Sequence, residues 1–490
     1  MGIRIWQPQV ALALLALSCG RTGLEMEPPS DDGDTALVDS GGGADVMDGA
    51  PESGVAPDAG AETEVGASDA PVDVVADAPQ DSATDAGARD AGCGSVTFSA
   101  PVAYPVSDWA TAIAIGDLDR DGLPDLIVAD EPDTYPTEGA SVSVLHNLGG
   151  RQFGPEEPNP GDSIVEAIQV ADMNGDGWLD VVTSNRQSFT VGVYLNAGNG
   201  KLLPQATYQA GAGVDGGMLW PGTLAVGDLN GDGLPDVAVA EQDLYLDTNT
   251  DNGGGVGVWL NLGGGVLGPE VLLPNVAITG AQGGTYTRGP ATIAIADLDA
   301  HGTRDIVVTT IDGRVAVYGN HGDGTFAPEI FYSIGGQGPS GCDCRLSVAD
   351  LNGDGHPDLA VTNASGPAVG VLLNDGTGAF LPEVTVVAGT DFWGTNHFLA
   401  VTDLQRRGLD DIITAGYAPS SSNPAFINPA ISRYPILGAA TFGPAVVYSP
   451  DPTDFLEDLA VGDVDGDGLP DVALVSQRVF QAEVLYSSCQ

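Results

Sequence analysis

The chain has 490 residues and a formal net charge of −53, with 68 acidic residues against 15 lysines and arginines. This balance excludes nucleic acid as a partner, because contacts to phosphate need a basic surface. It also argues against electrostatic binding to anionic lipid. An acidic surface instead suits divalent cations and keeps a protein soluble. The 70 glycines indicate many tight turns.

Residues 1–19 are predicted to be a lipoprotein signal peptide. Arg4 supplies a basic start, and the apolar run at 10–17 is too short to span a bilayer as a helix. The following Ala-Leu-Ser-Cys-Gly resembles the lipobox of bacterial lipoproteins, with its leucine one place late. The resemblance implies a lipid anchor on Cys19. Gly20 after it implies the outer membrane or cell surface of a bacterium. An ordinary signal peptide cut nearby is the alternative.

Residues 20–92 are predicted to be a disordered acidic linker. Residues 25–92 contain no aromatic residue and one basic residue, Arg89. Such a composition cannot bury enough apolar surface to offset chain entropy. As a flexible coil, the segment between Cys19 and Cys93 spans roughly 45–50 Å root-mean-square. We therefore expect a tether that holds a folded domain away from the membrane.

Residues 93–490 contain seven copies of one pattern. An apolar strand, an acidic loop and a second apolar strand, such as VGDLNGDGLPDVAVA, are followed by a hairpin such as VGVWLNLGGGVLGPE. Alternating apolar residues and Asn/Gly turns indicate hairpins, and four short strands per unit make a propeller blade. The sequence predicts an all-β fold, a seven-bladed β-propeller with four-stranded blades. The loops begin at Asp117, Asp172, Asp228, Asp297, Asp350, Asp403 and Asp463.

The two ends of this region are predicted to close the ring together. Residues 96–104 match a fourth strand, and the final EVLYSSCQ matches a third strand. Cys93 and Cys489 would then flank the missing turn, and a disulfide between them would contribute roughly 4–5 kcal/mol through loop entropy. With Cys19 set aside, the even number of cysteines fits an oxidising compartment. A short-range disulfide is therefore also predicted between Cys342 and Cys344.

The repeated loop, D-x-[DN]-x-D-G-x-x-D, resembles the FG-GAP/VCBS repeat family, which includes the propellers of integrin α-subunits. The resemblance covers residues 94–490, nearly the whole predicted folded region. It implies a calcium-stabilised propeller in an extracellular protein. It does not identify a ligand.

Five loops have the ligand pattern expected for Ca²⁺, a hard cation that takes six to eight oxygen ligands. Positions 1, 3, 5 and 9 supply carboxylates or amides, and position 7 offers a carbonyl. An EF-hand is rejected because apolar strands follow these loops and no Glu stands at position 12. The predicted metal ligands are Asp117, Asp119, Asp121, Leu123 and Asp125; Asp172, Asn174, Asp176, Trp178 and Asp180; Asp228, Asn230, Asp232, Leu234 and Asp236; Asp350, Asn352, Asp354, His356 and Asp358; and Asp463, Asp465, Asp467, Leu469 and Asp471.

Two loops depart from this pattern. The fourth, beginning at Asp297, has His301 in place of the position-5 carboxylate and is expected to bind weakly or not at all. The sixth, beginning at Asp403, carries Gln405 and Arg407. Arg407 would place a positive charge where the metal belongs, so this loop is expected to hold no ion.

Three tryptophans, Trp109, Trp220 and Trp393, recur near the start of the innermost strands, on the face opposite the acidic loops. We interpret that face as the ligand face, because exposed aromatic side chains stack on sugars or anchor proteins. Packing of these side chains between blades is the competing interpretation. The long acidic loop at 247–255 lies on the same predicted face and is expected to be mobile.

No H-E-x-x-H, G-x-S-x-G, P-loop or dinucleotide fingerprint occurs in the chain. The sequence therefore favours a monomeric, non-catalytic binding or adhesion module at the cell surface, with an extracellular glycan or protein as partner and Ca²⁺ as cofactor. A calcium-dependent polysaccharide lyase or hydrolase on the same scaffold is the alternative, and a purely structural envelope protein is a third hypothesis.

Overall fold

A computed structural model describes the ring region of the chain. It covers residues 93–490 except 94, 132–140, 212–218, 244–253, 274–289, 311–312, 335–343, 363–367, 388–395, 420–426, 438–440, 444–445, 449–455 and 477–479. The predicted signal peptide, the lipidation site Cys19 and the linker lie outside the described residues and stay predictions. Within the described residues no helix is long and apolar enough to cross a bilayer.

The described strands form seven four-stranded antiparallel sheets and one two-stranded sheet, which confirms the predicted propeller. We call the strands of each blade A to D, from the first to the last. Blade 1 contains β3 (Trp109–Gly116), β4 (Asp125–Glu131), β5 (Ser141–Leu145) and β6 (Glu157–Pro160); blade 2 contains β7 (Val165–Ala171), β8 (Asp180–Asn185), β9 (Thr190–Tyr194) and β10 (Ala206–Gln209); blade 3 contains β11 (Leu219–Gly227), β12 (Asp236–Asp243), β13 (Gly255–Trp259) and β14 (Val271–Leu273).

The other four blades repeat this order, with the last one completed from the beginning of the domain. Blade 4 contains β15 (Pro290–Ala296), β16 (Asp305–Thr310), β17 (Arg314–Tyr318) and β18 (Ile330–Ser333); blade 5 contains β19 (Leu346–Ala349), β20 (Asp358–Thr362), β21 (Ala368–Leu372) and β22 (Val384–Val387); blade 6 contains β23 (Asn396–Thr402), β24 (Asp411–Pro419), β25 (Ile427–Tyr434) and β26 (Val446–Tyr448); blade 7 contains β27 (Leu456–Gly462), β28 (Asp471–Ser476), β29 (Gln481–Leu485) and β2 (Val102–Pro105).

The ring closes as the sequence predicts. Strand β2 pairs with β29 as the outer strand of blade 7. The short strands β1 (Val96–Phe98) and β30 (Ser487–Cys489) pair with each other, which replaces the continuous hairpin of the other blades. The structure contains the predicted disulfide between Cys93 and Cys489, whose Cα atoms are 5.4 Å apart. The covalent link therefore lies where the chain has no turn.

The core consists of apolar layers between successive blades. Strands B and C read as nearly continuous apolar runs because both of their faces are covered. Strand β16, for example, is buried at every residue. Between blades 7 and 1, Ile113 and Val128 lie in one buried cluster with Val475 and Val484. Because successive strands of a blade are antiparallel, the A–B loops and the C–D hairpins lie on one face of the ring, which we call the metal face.

Candidate metal centres and the opposite face

Each predicted metal loop connects strand A to strand B of its blade, as β3 and β4 show on either side of the first loop. Position 6 is glycine in all seven loops, with φ between +69° and +89°. Residues with a Cβ rarely adopt this left-handed conformation. Position 4 has positive φ as well, and Arg120, Ala300 and Arg406 adopt it where the other copies have glycine. The chain thus turns sharply enough to direct several side chains to one point.

The aspartate at position 1 organises its own loop. In blade 3, Asp228 Oδ1 accepts a hydrogen bond from the Gly231 amide at 2.7 Å, and Oδ2 accepts one from the Gly233 amide at 2.8 Å. Asp403 in the divergent sixth loop makes the same bond to the Gly408 amide at 2.6 Å. Such side-chain bonds to the following backbone stabilise a turn. Position 1 therefore shapes the loop even where other ligands are lost.

The aspartate at position 9 begins strand B and is buried in every blade, at 3% exposure or less. Asp236 Oδ2 accepts from the Leu229 amide at 2.8 Å, and Oδ1 accepts from the Asn261 amide at 2.7 Å. Burial, together with the nearby loop carboxylates, raises the pKa of Asp236 to about 6 and that of Asp358 to about 7. A positive charge nearby would favour the ionised form of such a buried carboxylate, in addition to its two amide hydrogen bonds. These sites therefore have the electrostatics that a cation would stabilise.

The loop carboxylates converge. Three carboxylate oxygens lie within 4.8 Å of one another in two of the loops, from Asp117, Asp119 and Asp125 in blade 1 and from Asp463, Asp465 and Asp471 in blade 7. Blades 2, 3 and 5 have asparagine at position 3, and Asn230 Nδ2 donates to Asp232 Oδ2 at 3.0 Å. An all-oxygen donor set of this kind fits Ca²⁺. The ion would be held through positions 1, 3, 5 and 9, with the carbonyl of position 7.

The two divergent loops differ in the basic side chain that lies near their carboxylates. In blade 4, His301 is exposed and its Nδ1 lies 2.7 Å from Asp299 Oδ2. In blade 6, Asp411 accepts from Arg433 Nη2 at 2.7 Å and from Nε at 3.0 Å, while Arg407 Nη2 lies 3.4 Å from its other oxygen. Burial raises the pKa of Asp411, and the Arg433 guanidinium opposes that rise. Arginine thus stands in blade 6 where a metal would supply charge.

Two basic side chains from the C–D hairpin of blade 1 reach the metal loops, and the sequence analysis did not identify either. His146 Nδ1 lies 3.3 Å from Asp125 Oδ2. Arg151 Nη2 lies 2.7 Å from Asp465 Oδ2, a ligand position of blade 7, 314 residues away in sequence. No local motif signals a pair so distant. Only the closure of the ring brings blade 1 beside blade 7.

The asparagine that begins the C–D hairpin is a second feature that the sequence analysis treated only as a turn residue. Its amide N–H donates to the position-9 carboxylate of its own blade, as Asn196 does to Asp180 at 2.7 Å. Its Nδ2 donates to the carbonyl of position 8 in its own loop, and to the carbonyl of position 2 in the preceding blade at 2.7–2.9 Å. These hairpin asparagines, which join successive metal loops, are Asn147, Asn196, Asn261, Asn320 and Asn374.

The predicted ligand face is partly described. Trp109 and Trp220 are half-buried at the start of their strands, at the end away from the metal loops. The Arg186 guanidinium lies 4.3 Å from the centre of the Trp220 ring, and Phe189 packs edge-on against that ring. Both neighbours come from blade 2, so Trp220 combines packing between blades with partial exposure. Trp393 lies outside the described residues.

The predicted second disulfide stays a prediction. Cys344 is buried beside β19 at 1% exposure, and Cys342 lies outside the described residues. The long loop at 247–255, which we expect to be mobile, lies outside them for all but its last two residues.

The four-stranded blades, each with an acidic loop between strands A and B, define the protein as a β-propeller with repeated acidic loops. Residues 172–239, 297–361 and 350–414 match the model of the FG-GAP-like repeat, and residues 220–259 match that of the FG-GAP repeat. These parts of the chain therefore match FG-GAP repeats, as the sequence resemblance implies.

Solved structures similar to this chain include an Agrocybe aegerita lectin that specifically recognises non-reducing terminal N-acetylglucosamine. It is 22% identical, with a TM-score of 0.46, over 71% of this chain and 81% of the lectin. BBS1N, crystallised in complex with ARL6DN and soaked with lead, is 15% identical, with a TM-score of 0.49, over 79% of this chain and 96% of BBS1N. No curated protein sequence matches this chain significantly.

Proposed function

We propose that this protein is a calcium-stabilised cell-surface module that binds an extracellular glycan or protein and catalyses no reaction. FG-GAP propellers often bind extracellular ligands. The observation that carries the calcium assignment is the contrast between Asp236 and Asp411. Both are fully buried, but Arg433 contacts Asp411 in the one loop that has exchanged its carboxylates for Gln405 and Arg407. A loop that keeps its oxygen ligands takes its positive charge from calcium.

The surface around Trp220 is our candidate for ligand contact. Arg186 covers the Trp220 ring and also lies 3.4 Å from Glu166. A partly exposed indole beside a guanidinium and a carboxylate offers a stacking surface together with hydrogen-bond donors and acceptors. Sugars and protein anchors both use such a combination. The surface lies at the end of strand A opposite the metal loops, so a ligand there leaves the calcium sites undisturbed.

The anchor and the linker complete the proposal. A lipid on Cys19 and an extended acidic tether at 20–92 would present the propeller outside a bacterial outer membrane. The ring would then meet extracellular polysaccharides or proteins without a membrane-spanning segment. We propose that it acts as a monomer.

The test is binding of the chain from Cys19 onward to an array of bacterial and host glycans in calcium. Trp220→Ala should lose at least tenfold in affinity, and Trp178→Ala, a half-buried tryptophan on the metal face, should keep it. Melting curves of both variants separate lost binding from lost folding. If Trp220→Ala unfolds, Arg186→Ala replaces it. Unchanged binding in every folded variant would refute this ligand face, and turnover of an acidic polysaccharide would favour the enzyme hypothesis.

A further inference from the structure

A second kind of polar pocket lies between blades, away from the metal loops. It forms where the residue five places after the position-9 aspartate, near the end of strand B, faces the residue that precedes strand D. In blade 1 these residues are Asp130 and Glu156. Ser143 of strand C and Ser107, which follows the outer strand of blade 7, complete what we call the seam pocket. It lies where the last blade meets the first.

The hydrogen bonds of the seam pocket are unevenly shared. Ser143 Oγ donates to Glu156 Oε1 at 2.8 Å, and the Ser107 hydroxyl donates to Glu156 Oε2. Ser141 Oγ lies 3.5 Å from Asp130 Oδ2. Asp130 is only 2% exposed, and its Oδ1 is buried without any hydrogen-bond partner. A buried carboxylate oxygen without a donor costs folding free energy, so this atom points to a missing group.

The same pocket in blade 2 is satisfied without any ligand. Asn185 and Gln205 occupy the positions of Asp130 and Glu156. Asn185 Nδ2 donates to Thr190 Oγ1 at 3.0 Å, and Gln205 Nε2 donates to Thr183 Oγ1 at 3.1 Å. Thr183 Oγ1 in turn donates to Asn185 Oδ1 at 3.1 Å. Amides and hydroxyls supply both donors and acceptors, so this pocket is complete as it stands.

Blade 3 shows a third solution. There the pocket holds Glu241 and Glu270, whose carboxyl groups hydrogen-bond to each other, and the Gly211 amide donates to Glu241 Oε1 at 2.9 Å. Burial, together with the nearby charge of Glu270, raises the pKa of Glu241, which favours a proton shared by the pair. In the seam pocket Asp130 and Glu156 do not hydrogen-bond to each other among the described contacts. The hydroxyls of Ser107 and Ser143 instead donate hydrogen bonds to the two carboxylate oxygens of Glu156.

We propose that the seam pocket binds one divalent cation, Ca²⁺, between the carboxylates of Asp130 and Glu156. All donors in the pocket are oxygen, including the hydroxyls of Ser107, Ser141 and Ser143, which is the chemistry that Ca²⁺ prefers. Burial, with the negative charges of Glu156 and Asp108, raises the pKa of Asp130 to about 8, against the hydrogen bonds from Ser143 and Ser141, which lower it. Ser107 is exposed and Glu156 is half-buried, so the pocket meets solvent on the side of these two residues.

This ion would differ in position and role from those of the A–B loops. It would tie the segment after β2 to strands B and D of blade 1, where blade 1 meets blade 7. The Cys93–Cys489 bond lies elsewhere, at the hairpin position of blade 7 beside Gln405 of blade 6.

The experiment is a calcium count on the folded chain, by isothermal titration and by metal analysis after dialysis. The double variant Asp130→Asn with Glu156→Gln reproduces the residues that blade 2 carries at Asn185 and Gln205. We expect it to bind one Ca²⁺ fewer than the wild type, whatever number the A–B loops hold. In chelator it should melt at the same temperature as the wild type or higher, because the buried carboxylate of Asp130 and the half-buried one of Glu156 are gone.

The matched control is Glu241→Gln with Glu270→Gln in blade 3, which should leave the calcium count unchanged. An equal count in wild type and seam variant would overturn the proposal and leave Asp130 as a protonated acid. If the seam variant does not fold, Tb³⁺-soaked crystals of the wild-type chain decide. Anomalous density between Asp130 and Glu156 supports the site, and its absence overturns it.

Discussion

Blades 3 and 6 solve one electrostatic problem in two ways. Each buries the position-9 aspartate completely, Asp236 in one and Asp411 in the other. Asp236 stands behind a full set of loop oxygens, whereas Asp411 is held by the guanidinium of Arg433. Arginine supplies the positive charge in blade 6, and we propose that calcium supplies it in blade 3. What both blades require is the carboxylate itself.

This requirement follows from the architecture. The position-9 carboxylate accepts amide hydrogen bonds from its own loop and from its own C–D hairpin, so it ties strands A, B and C together at the metal face. An apolar residue there would leave those amides without acceptors, which costs about 1–3 kcal/mol for each buried group. One side chain that accepts two amide hydrogen bonds on separate oxygens is a carboxylate, and a carboxylate brings a negative charge into this buried position.

The largest effect should come from removing calcium altogether. Each site stabilises the native state by about 2.7 kcal/mol when free calcium is 100 times its dissociation constant. Because five loops are intact, we expect excess chelator to lower the melting temperature by several degrees or more. Differential scanning calorimetry, with metal analysis of the same sample, measures this. A melting curve that does not move after complete metal removal would mean that the loops are only polar turns.

The second prediction concerns the arginine that contacts the buried aspartate of blade 6. Arg433→Met removes the buried guanidinium and leaves Asp411 as an uncompensated charge, which should destabilise the protein by about 3–5 kcal/mol. Because Gln405 and Arg407 leave the loop without carboxylates at positions 3 and 5, and Arg407 adds positive charge, added calcium should not restore stability. Arg407→Ala, which removes the more exposed and more distant arginine, should cost about 1 kcal/mol or less. Rescue of Arg433→Met by calcium would show that loop 6 still binds metal.

The third prediction compares single loops. Asp228→Ala removes a position-1 ligand and the cap of loop 3, so one bound calcium and about 2–3 kcal/mol of calcium-dependent stability should be lost. Gln405→Ala alters a loop that arginine already fills, so the calcium count should not change. Equilibrium dialysis with both variants measures the difference. Equal losses would contradict the assignment of the two loops.

The ring, its blade count, its closure and the place of the acidic loops between strands A and B were all predictable, because each depends on a local pattern that repeats or on the two ends of the domain. Calcium in those loops stays a prediction. The divergence of loop 6 was also visible in Arg407. Arg433 was not, because it lies on strand C, 22 residues beyond Asp411, and reads as an isolated charge in a strand. The link from Arg151 to Asp465 was equally hidden, since only the seam of the ring brings those residues together.

The seam pocket was unpredictable for a related reason. Asp130 and Glu156 are separated by a hairpin and look like ordinary polar strand ends. Only comparison with Asn185 and Gln205, which occupy the same places in blade 2, shows that Asp130 and Glu156 lie in one pocket where a carboxylate oxygen lacks a hydrogen-bond donor. In a repeat protein, equivalent positions of different repeats can be compared with one another, but the structure is needed to show which positions are equivalent.

The last and smallest predicted effect concerns the hairpin asparagines. Asn261 Nδ2 bridges the Met173 carbonyl of loop 2, at 2.7 Å, and the Pro235 carbonyl of loop 3, at 3.0 Å. Asn261→Ala leaves both acceptors without this donor, so stability should fall by about 1–2 kcal/mol. Asn199→Ala, at an exposed hairpin position of blade 2, should change stability by less than about 0.5 kcal/mol.

The informative measurement on Asn261→Ala is calcium affinity, site by site, because this residue touches two loops at once. Its side-chain Nδ2 holds the Pro235 carbonyl of loop 3 and the Met173 carbonyl of loop 2, and alanine loses both bonds. Both loops should therefore bind calcium more weakly, by several-fold, while loop 5 is unaffected. Blade 6 has Ile436 at the same place, with its amide still 3.2 Å from Asp411 Oδ1, so the fold tolerates the loss of the side chain. Weakening confined to loop 3 would show that successive loops bind independently, and weakening of loops 2 and 3 together would show that the asparagines couple them around the ring.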